Sequence, residues 1–177
     1  MLPTHESSTP TPRVVFAHGK ESGPWGSKIQ HLADIAAAHG FSVESPDYSA
    51  LMDPGDRVAH LLDLAPRGAP LVLVGSSMGG YVSAMACERL RPAALLLMAP
   101  ALYMNGYPGE PVGCPPDTQV VHGWHDDIVP LESALTFARA RSAELHIVDD
   151  GHRLAESIDF IGQIFDRQLA RARANIG

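Results

Sequence analysis

The chain is poor in cysteine, in long hydrophobic runs and in basic clusters. Two cysteines in 177 residues provide no disulfide framework, so we expect a reducing compartment and place the protein in the cytoplasm. No apolar run reaches the length of a signal peptide or a membrane span, which argues against a membrane protein. A net charge of −7 without a run of lysine or arginine argues against nucleic acid and anionic membranes as partners.

The composition is that of a globular domain. A chain of 177 residues fits one domain, and 45% hydrophobic with 19% charged residues is ordinary for a folded protein. A chain of this size buries roughly 70% of its unfolded surface, so its core needs no disulfide or metal. The first residues are polar and rich in proline. We therefore predict a disordered tail over residues 1–12 and a single domain over residues 13–177.

Short apolar runs alternate with helical stretches along the predicted domain. The predicted strands are Arg13–Ala17, Phe41–Ser45, Pro70–Gly75, Ala94–Met98, Gln119–His122 and Glu144–Val148. The predicted helices are Gly26–His39, Asp53–Leu64, Ser77–Leu90, Leu131–Arg141 and Arg153–Ala172. Strands that alternate with helices of this length form βαβ units. The order predicts an α/β protein, a three-layer α/β/α sandwich around a mainly parallel sheet of six strands.

A five-residue motif lies where the most apolar strand meets a helix. The residues Gly75-Ser76-Ser77-Met78-Gly79 fit the pattern Gly-x-Ser-x-Gly. Glycine two residues either side of the serine permits a tight turn in which larger side chains would collide. The helix dipole favours negative charge at the serine oxygen. The placement predicts that Ser77 is a nucleophile, whereas the simpler alternative is a strand–helix turn with a capping serine.

A serine hydroxyl needs a base to take its proton. His152 follows the last predicted strand and is the candidate base. The carboxylate that would orient its imidazole follows the fifth strand, where Asp126 and Asp127 are adjacent. Because the carboxyl ends of parallel strands meet at one edge of a sheet, we expect these groups near Ser77.

The combined pattern resembles the α/β-hydrolase superfamily, in particular its small, cap-less, esterase-like members. The resemblance is carried by His18-Gly19 after the first strand, by Gly-x-Ser-x-Gly, by His-Gly-x-x-Asp-x-x-Val-Pro at residues 122–130 and by Asp-Gly-His at residues 150–152. It extends from about Arg13 to Leu169. It implies a minimal α/β-hydrolase fold with a triad of Ser77, Asp126 and His152. It selects Asp126 because the family's acid follows the glycine of that stretch by three residues.

The resemblance also implies the surroundings of the nucleophile. The backbone N–H groups of Lys20 and Met78 are expected to form the oxyanion hole, with Glu21 as the alternative to Lys20. Larger members insert a helical cap before the fifth strand, where this chain has only a short segment, so we expect a shallow and open site. The expected substrate-binding residues are Trp25, Tyr103 and Met104. For Trp25, packing at the start of its helix is an equal alternative.

The leading hypothesis is a serine hydrolase of the carboxylesterase type that cleaves esters of small or exposed acyl groups through an acyl-serine intermediate. A thioesterase or acyltransferase with the same triad stays open, and a non-catalytic binding protein on the same scaffold is less favoured. The expected partner is a small-molecule ester or thioester, and a homodimer is left open. We expect no cofactor and no metal, because His122, His125 and Asp126 do not complete a ligand spacing.

Overall fold

The computed structural model describes residues 10–176, and the elements below lie in that range. The strands are β1 Arg13–Ala17, β2 Ser42–Glu44, β3 Leu71–Ser76, β4 Ala94–Met98, β5 Thr118–Gly123 and β6 Glu144–Val148. The helices are α1 Ser27–Ala38, α2 Pro54–Leu64, α3 Met78–Leu90, α4 Leu131–Arg141 and α5 Ile158–Ala174. The predicted alternation of strands and helices is therefore confirmed.

The six strands form one sheet in the order β2-β1-β3-β4-β5-β6. Each neighbouring pair is parallel, so the predicted mainly parallel sheet is parallel throughout. The chain proceeds outwards in one direction from β1 and in the other from β3. The direction of winding thus reverses between β1 and β3, and in open α/β sheets ligands bind beyond the carboxyl ends of the strands at such a point.

Apolar residues of the central strands cover both faces of the sheet. Along β3, Val72 and Val74 face the core shared with α1 and α5, whereas Leu71 and Leu73 face the core shared with α2, α3 and α4. Successive side chains of a strand point to opposite faces, so a strand covered on both sides must be apolar at nearly every position. This explains the continuous hydrophobic runs in the sequence and confirms the three-layer sandwich.

Two helix starts show where local sequence signals succeed and fail. The Asp53 side chain accepts a hydrogen bond from the Asp56 N–H at 3.0 Å, with Pro54 at the first helical position, so the predicted helix starts where a capping residue precedes proline. The last helix begins at Ile158, five residues later than the predicted Arg153, and continues to Ala174. Leu154 is the reason, because its side chain is fully buried and its backbone has a φ of 53° that no α-helix accommodates.

Residues 1–9 of the predicted tail lie outside the described residues. From Thr11 onwards the backbone is bonded to the fold, since the Thr11 carbonyl accepts from the Ala69 N–H and the Pro12 carbonyl from the Ser42 N–H. None of the helices within residues 10–176 combines the length and hydropathy needed to cross a membrane. Both cysteines are free thiols.

Candidate active site

Ser77 lies in a strained turn between β3 and α3. Its φ of 54° is unusual for a residue with a side chain, and such conformations cost on the order of 1–3 kcal/mol. Hydrogen bonds hold the turn, because the Ser77 N–H donates to the Met98 carbonyl at 2.9 Å and the Ser77 carbonyl accepts from the Ala101 N–H at 3.0 Å. The turn presents the Ser77 hydroxyl at the carboxyl edge of the sheet.

The glycines of the motif allow neighbouring backbone segments to touch. A Cβ atom on Gly75 would overlap the carbonyl of Gly79, and one on Gly79 would overlap the carbonyl of Ala17 at the end of β1. A side chain larger than hydrogen would therefore collide with the backbone at both positions, as predicted.

A chain of two hydrogen bonds connects the three predicted triad side chains. His152 Nε2 lies 3.0 Å from Ser77 Oγ, and His152 Nδ1 lies 2.8 Å from Asp126 Oδ2. The carboxylate can only accept, so Nδ1 carries the ring proton and the bare Nε2 accepts from the serine hydroxyl. The structure thus brings the three residues together, and their role in catalysis stays a prediction.

The two adjacent aspartates differ sharply in their surroundings. The Asp126 side chain is fully buried, and its Oδ1 accepts hydrogen bonds from the N–H groups of Ile128 at 2.9 Å and Val129 at 2.8 Å. Oδ2 is thereby directed at His152. Asp127 is exposed. The register that the resemblance implied for the acid agrees with this geometry.

The turn that carries His152 is held by polar contacts of Asp150 and Lys28. Asp150 accepts from the Gly151 N–H at 2.7 Å and from the Ser157 hydroxyl at 2.9 Å. The Lys28 ammonium, on α1, donates to the Arg153 carbonyl at 2.7 Å and lies 3.4 Å from Ser76 Oγ. Burial lowers the pKa of Lys28. Lys28 therefore connects the histidine turn to the nucleophile turn.

The loop after β1 lies beside the nucleophile. A Cβ atom on Gly19 would be 3.6 Å from the Cβ of Ser77. Within residues 10–176, neither the Lys20 N–H nor the Met78 N–H is paired with a protein acceptor. Both of the predicted oxyanion donors are thus available to a ligand, and the choice between Lys20 and Glu21 stays open.

The predicted substrate-binding residues lie on two segments at the same edge. Trp25 precedes α1 and is 45% exposed. The Tyr103 hydroxyl donates to Glu110 at 2.7 Å, within the segment that joins β4 to β5, and Met104 is half-buried in that segment. This segment carries no helix, so it does not contain the helical cap expected of larger members. Substrate contact by the three residues stays a prediction.

Two side chains at the site were missed from the sequence. Lys28 and Arg57 donate to backbone carbonyls of segments far away in the chain. A contact with a carbonyl leaves no residue pattern, because every residue has one. Within the described residues no group of three potential ligand side chains is placed to hold a metal ion, and His125 is instead paired with Asp149 at 2.8 Å.

Comparison with known proteins identifies relatives that share this fold. A protein from Xanthomonas campestris pv. campestris assigned to the α/β superfamily of hydrolases is 34% identical, with a TM-score of 0.83 over 90% of this chain and 99% of that one. Est1E from Butyrivibrio proteoclasticus is 16% identical, with a TM-score of 0.77 over 94% of this chain and 90% of that one, which shows a shared fold.

A protein of Mycobacterium phage D29, named as a non-heme haloperoxidase, is 29% identical over 127 residues. That alignment covers 71% of this chain and 41% of the phage protein.

The parallel sheet, the strained serine turn and these relatives define a member of the α/β-hydrolase superfamily. Within that superfamily the chain belongs to the uncharacterised protein family UPF0227, whose model matches residues 13–110. The matched part contains the loop after β1 and the Ser77 turn. Asp126 and His152 lie beyond it.

Proposed function

We propose that the protein is a serine hydrolase that cleaves carboxylic esters of small or exposed acyl groups through an acyl-Ser77 intermediate. The observation that carries the proposal is the hydrogen-bonded series Ser77–His152–Asp126 at the carboxyl edge of the sheet. The geometry satisfies the requirements of nucleophilic catalysis, with a nucleophile in contact with its base and the base oriented by a third group.

In the first half of the reaction Ser77 Oγ attacks the ester carbonyl carbon, and its proton passes to His152 Nε2. The carbonyl oxygen becomes an oxyanion, which accepts hydrogen bonds from the Met78 and Lys20 N–H groups. Collapse of this intermediate breaks the bond to the alcohol, which leaves with the proton from His152. Ser77 then carries the acyl group.

In the second half water replaces the alcohol. His152 takes a proton from the water while its oxygen attacks the acyl carbon, and the same N–H groups stabilise the second oxyanion. The acid is released when Ser77 regains its proton. Asp126 stabilises the imidazolium in both halves without taking up the proton itself. Two backbone N–H groups hold its Oδ1, which leaves Oδ2 directed at the imidazole.

A fluorophosphonate probe tests the nucleophile directly. We expect the native chain to be labelled, Ser77→Ala to be unlabelled and His152→Ala to be labelled far more slowly, because the base no longer activates the hydroxyl. Ser76→Ala is the matched control, since it removes the adjacent hydroxyl and should label at nearly the native rate. An unlabelled native chain, or equal labelling of Ser77→Ala, contradicts the proposal.

The preferred length of the acyl group can be measured with p-nitrophenyl esters of increasing acyl-chain length. The absence of a helical cap between β4 and β5 favours short or exposed acyl groups, so we expect the highest kcat/KM with short esters. A sharp preference for long acyl chains contradicts this part of the proposal. Release of a thiol from a thioester substrate tests the thioesterase alternative. Formation of a new ester with an added alcohol tests the acyltransferase alternative.

A further inference from the structure

A fully buried arginine lies behind the loop that faces Ser77. Arg57 is on α2 and has no exposed surface. Among the described residues no carboxylate lies within ion-pair distance of it. Burial of a charge without a counter-ion is costly unless hydrogen bonds replace the lost water. Burial accordingly lowers the pKa of this guanidinium.

The guanidinium makes three contacts with backbone carbonyls, through Nε and Nη1, whereas its Nη2 has no hydrogen-bond partner among the described residues. Arg57 Nη1 donates to the His18 carbonyl at 2.9 Å and lies 3.4 Å from the Gly19 carbonyl. Its Nε donates to the Leu51 carbonyl at 2.8 Å. Two of these three carbonyls belong to the loop after β1. Contacts with the loop that lies beside the nucleophile therefore offset part of the cost of burying this charge, and the Tyr48 ring, whose centroid is 5.6 Å from Arg57 Cζ, also faces the guanidinium.

A second buried side chain holds the same loop. The Tyr48 N–H donates to His18 Nε2 at 2.9 Å, so the ring proton lies on Nδ1, which donates to the Gly19 carbonyl at 2.8 Å. Burial is the main cause that lowers the pKa of His18, and the positive charge of Arg57 lowers it further. Both effects favour this neutral ring. The Gly19 carbonyl is thus held by His18 and approached by Arg57.

The direction of the Gly19 carbonyl determines the direction of the next N–H group. In a trans peptide the C=O and N–H bonds point in opposite directions, and the Gly19–Lys20 peptide is trans. Arg57 and His18 hold the Gly19 carbonyl towards the interior of the protein. The Lys20 N–H of the same peptide therefore points away from Arg57 and His18. A positive charge near the carbonyl also polarises the peptide and makes its N–H a stronger donor.

We propose that Arg57 is a positioning residue that, together with His18, holds the Gly19–Lys20 peptide so that the Lys20 N–H donates to the oxyanion formed at Ser77. This inference rests on the proposed function. It assigns Lys20, rather than Glu21, as the second oxyanion donor. The contact with the oxyanion exists only after Ser77 has attacked, so Arg57 should affect kcat far more than KM.

The test compares Arg57→Met with the native chain on an activated short ester. Rates are divided by the concentration of sites that react with fluorophosphonate at the end point, so unfolded protein does not contribute. We expect kcat per site to fall roughly tenfold to a hundredfold, somewhat less than the loss of a whole oxyanion donor. Affinity for a boronic acid, whose tetrahedral adduct resembles the oxyanion, should fall by a similar factor, with KM nearly unchanged.

Gln168→Met is the matched control. Gln168 is also fully buried, and its amide donates to the carbonyls of Leu95 at 3.0 Å and Asp117 at 3.1 Å, at the opposite edge of the sheet. This variant should be less stable in urea but retain the native kcat per site and the native boronic acid affinity.

Arg57→Lys provides a second variant if Arg57→Met does not fold. It keeps the charge but loses the fork that reaches both Leu51 and His18, so a several-fold loss of kcat per site and of boronic acid affinity is expected. Native values of both quantities in a folded Arg57 variant overturn the role of Arg57 alone. A native chain that neither labels nor hydrolyses esters overturns the proposed function and this role with it.

Discussion

At the scale of single residues, the site depends on how one carboxylate is surrounded. Asp126 and Asp127 are chemically identical and adjacent, but only Asp126 is buried and bonded to His152. Two backbone N–H groups occupy its Oδ1, which leaves Oδ2 for the imidazole. The position of each oxygen is therefore determined by the turn that leads into α4.

This arrangement predicts a large difference between two amide substitutions. In Asp126→Asn the oxygen must still accept from Ile128 and Val129, so the NH2 group faces His152 Nδ1. That ring nitrogen must then be bare, which moves the proton to Nε2 and prevents it from accepting the Ser77 proton. We expect kcat to fall on the order of 10⁴-fold.

Asp127→Asn should leave kcat within about twofold, because surface substitutions away from such contacts have little effect. The measurement is the steady-state rate on an activated ester for both variants. Equal losses in the two variants would show that the acid has been assigned to the wrong residue.

At the scale of elements, the nucleophile turn depends on close contact between β1 and α3. Gly79 lies in the first turn of α3, and its α-hydrogen faces the carbonyl of Ala17, where a Cβ atom would overlap. Any side chain there must separate the helix from the strand. The same separation would move Ser77 relative to the loop after β1.

Gly79→Ala therefore tests whether packing or helix propensity has the larger effect on the free energy of unfolding. Alanine is favoured over glycine in a helix by about 1 kcal/mol, yet the overlap with Ala17 should cost more, and we expect a net loss of about 2 kcal/mol or more in the free energy of unfolding. Urea denaturation measures it. Gly23→Ala is the control, because a Cβ atom there meets nothing within 4 Å. A Gly79→Ala chain of native stability would contradict the packing described.

At the scale of the whole molecule, the buried His18 and the half-buried His146 make the free energy of unfolding depend on pH. Burial is the main cause that lowers the pKa of His18 and of His146 below the ordinary value of 6.5. His146 donates to Gln119 at 2.8 Å, with Glu144 favouring and Arg167 opposing its charged form. Below about pH 6.5 the unfolded chain binds protons that the folded chain does not, so stability should decrease as the pH falls.

We expect His146→Gln to reduce this pH dependence. At about pH 8 and above, both histidines are almost entirely neutral in the folded and unfolded chains, and the variant should differ from the native chain only by its altered packing. Between pH 6.5 and 5 the native chain should lose more stability than the variant, because the variant lacks one group that binds a proton on unfolding. The free energy of unfolding in urea, measured across this range, gives the two slopes. Parallel slopes would contradict the lowered pKa of His146.

Much of the fold could be predicted because the signals are local. The bounds of β1, β4, β6 and α4 agree with the predicted ones, since each is a short apolar run or an amphipathic stretch with clear ends. The start of α5 could not be predicted. The turn before it is stabilised by burial of Leu154, and the sequence does not show that this residue is drawn into the core.

The sequence by itself determined the parallel α/β class and the chain order of Ser77, Asp126 and His152, because hydrophobic periodicity and turn motifs depend on residues that are contiguous in the chain. Only the tertiary structure decided which polar groups hold the site. Lys28 and Arg57 act on carbonyls that are 125 and 39 residues away, and the resulting contacts depend on strand order and helix packing. A backbone carbonyl has no side-chain identity, so such contacts are invisible until the chain is folded.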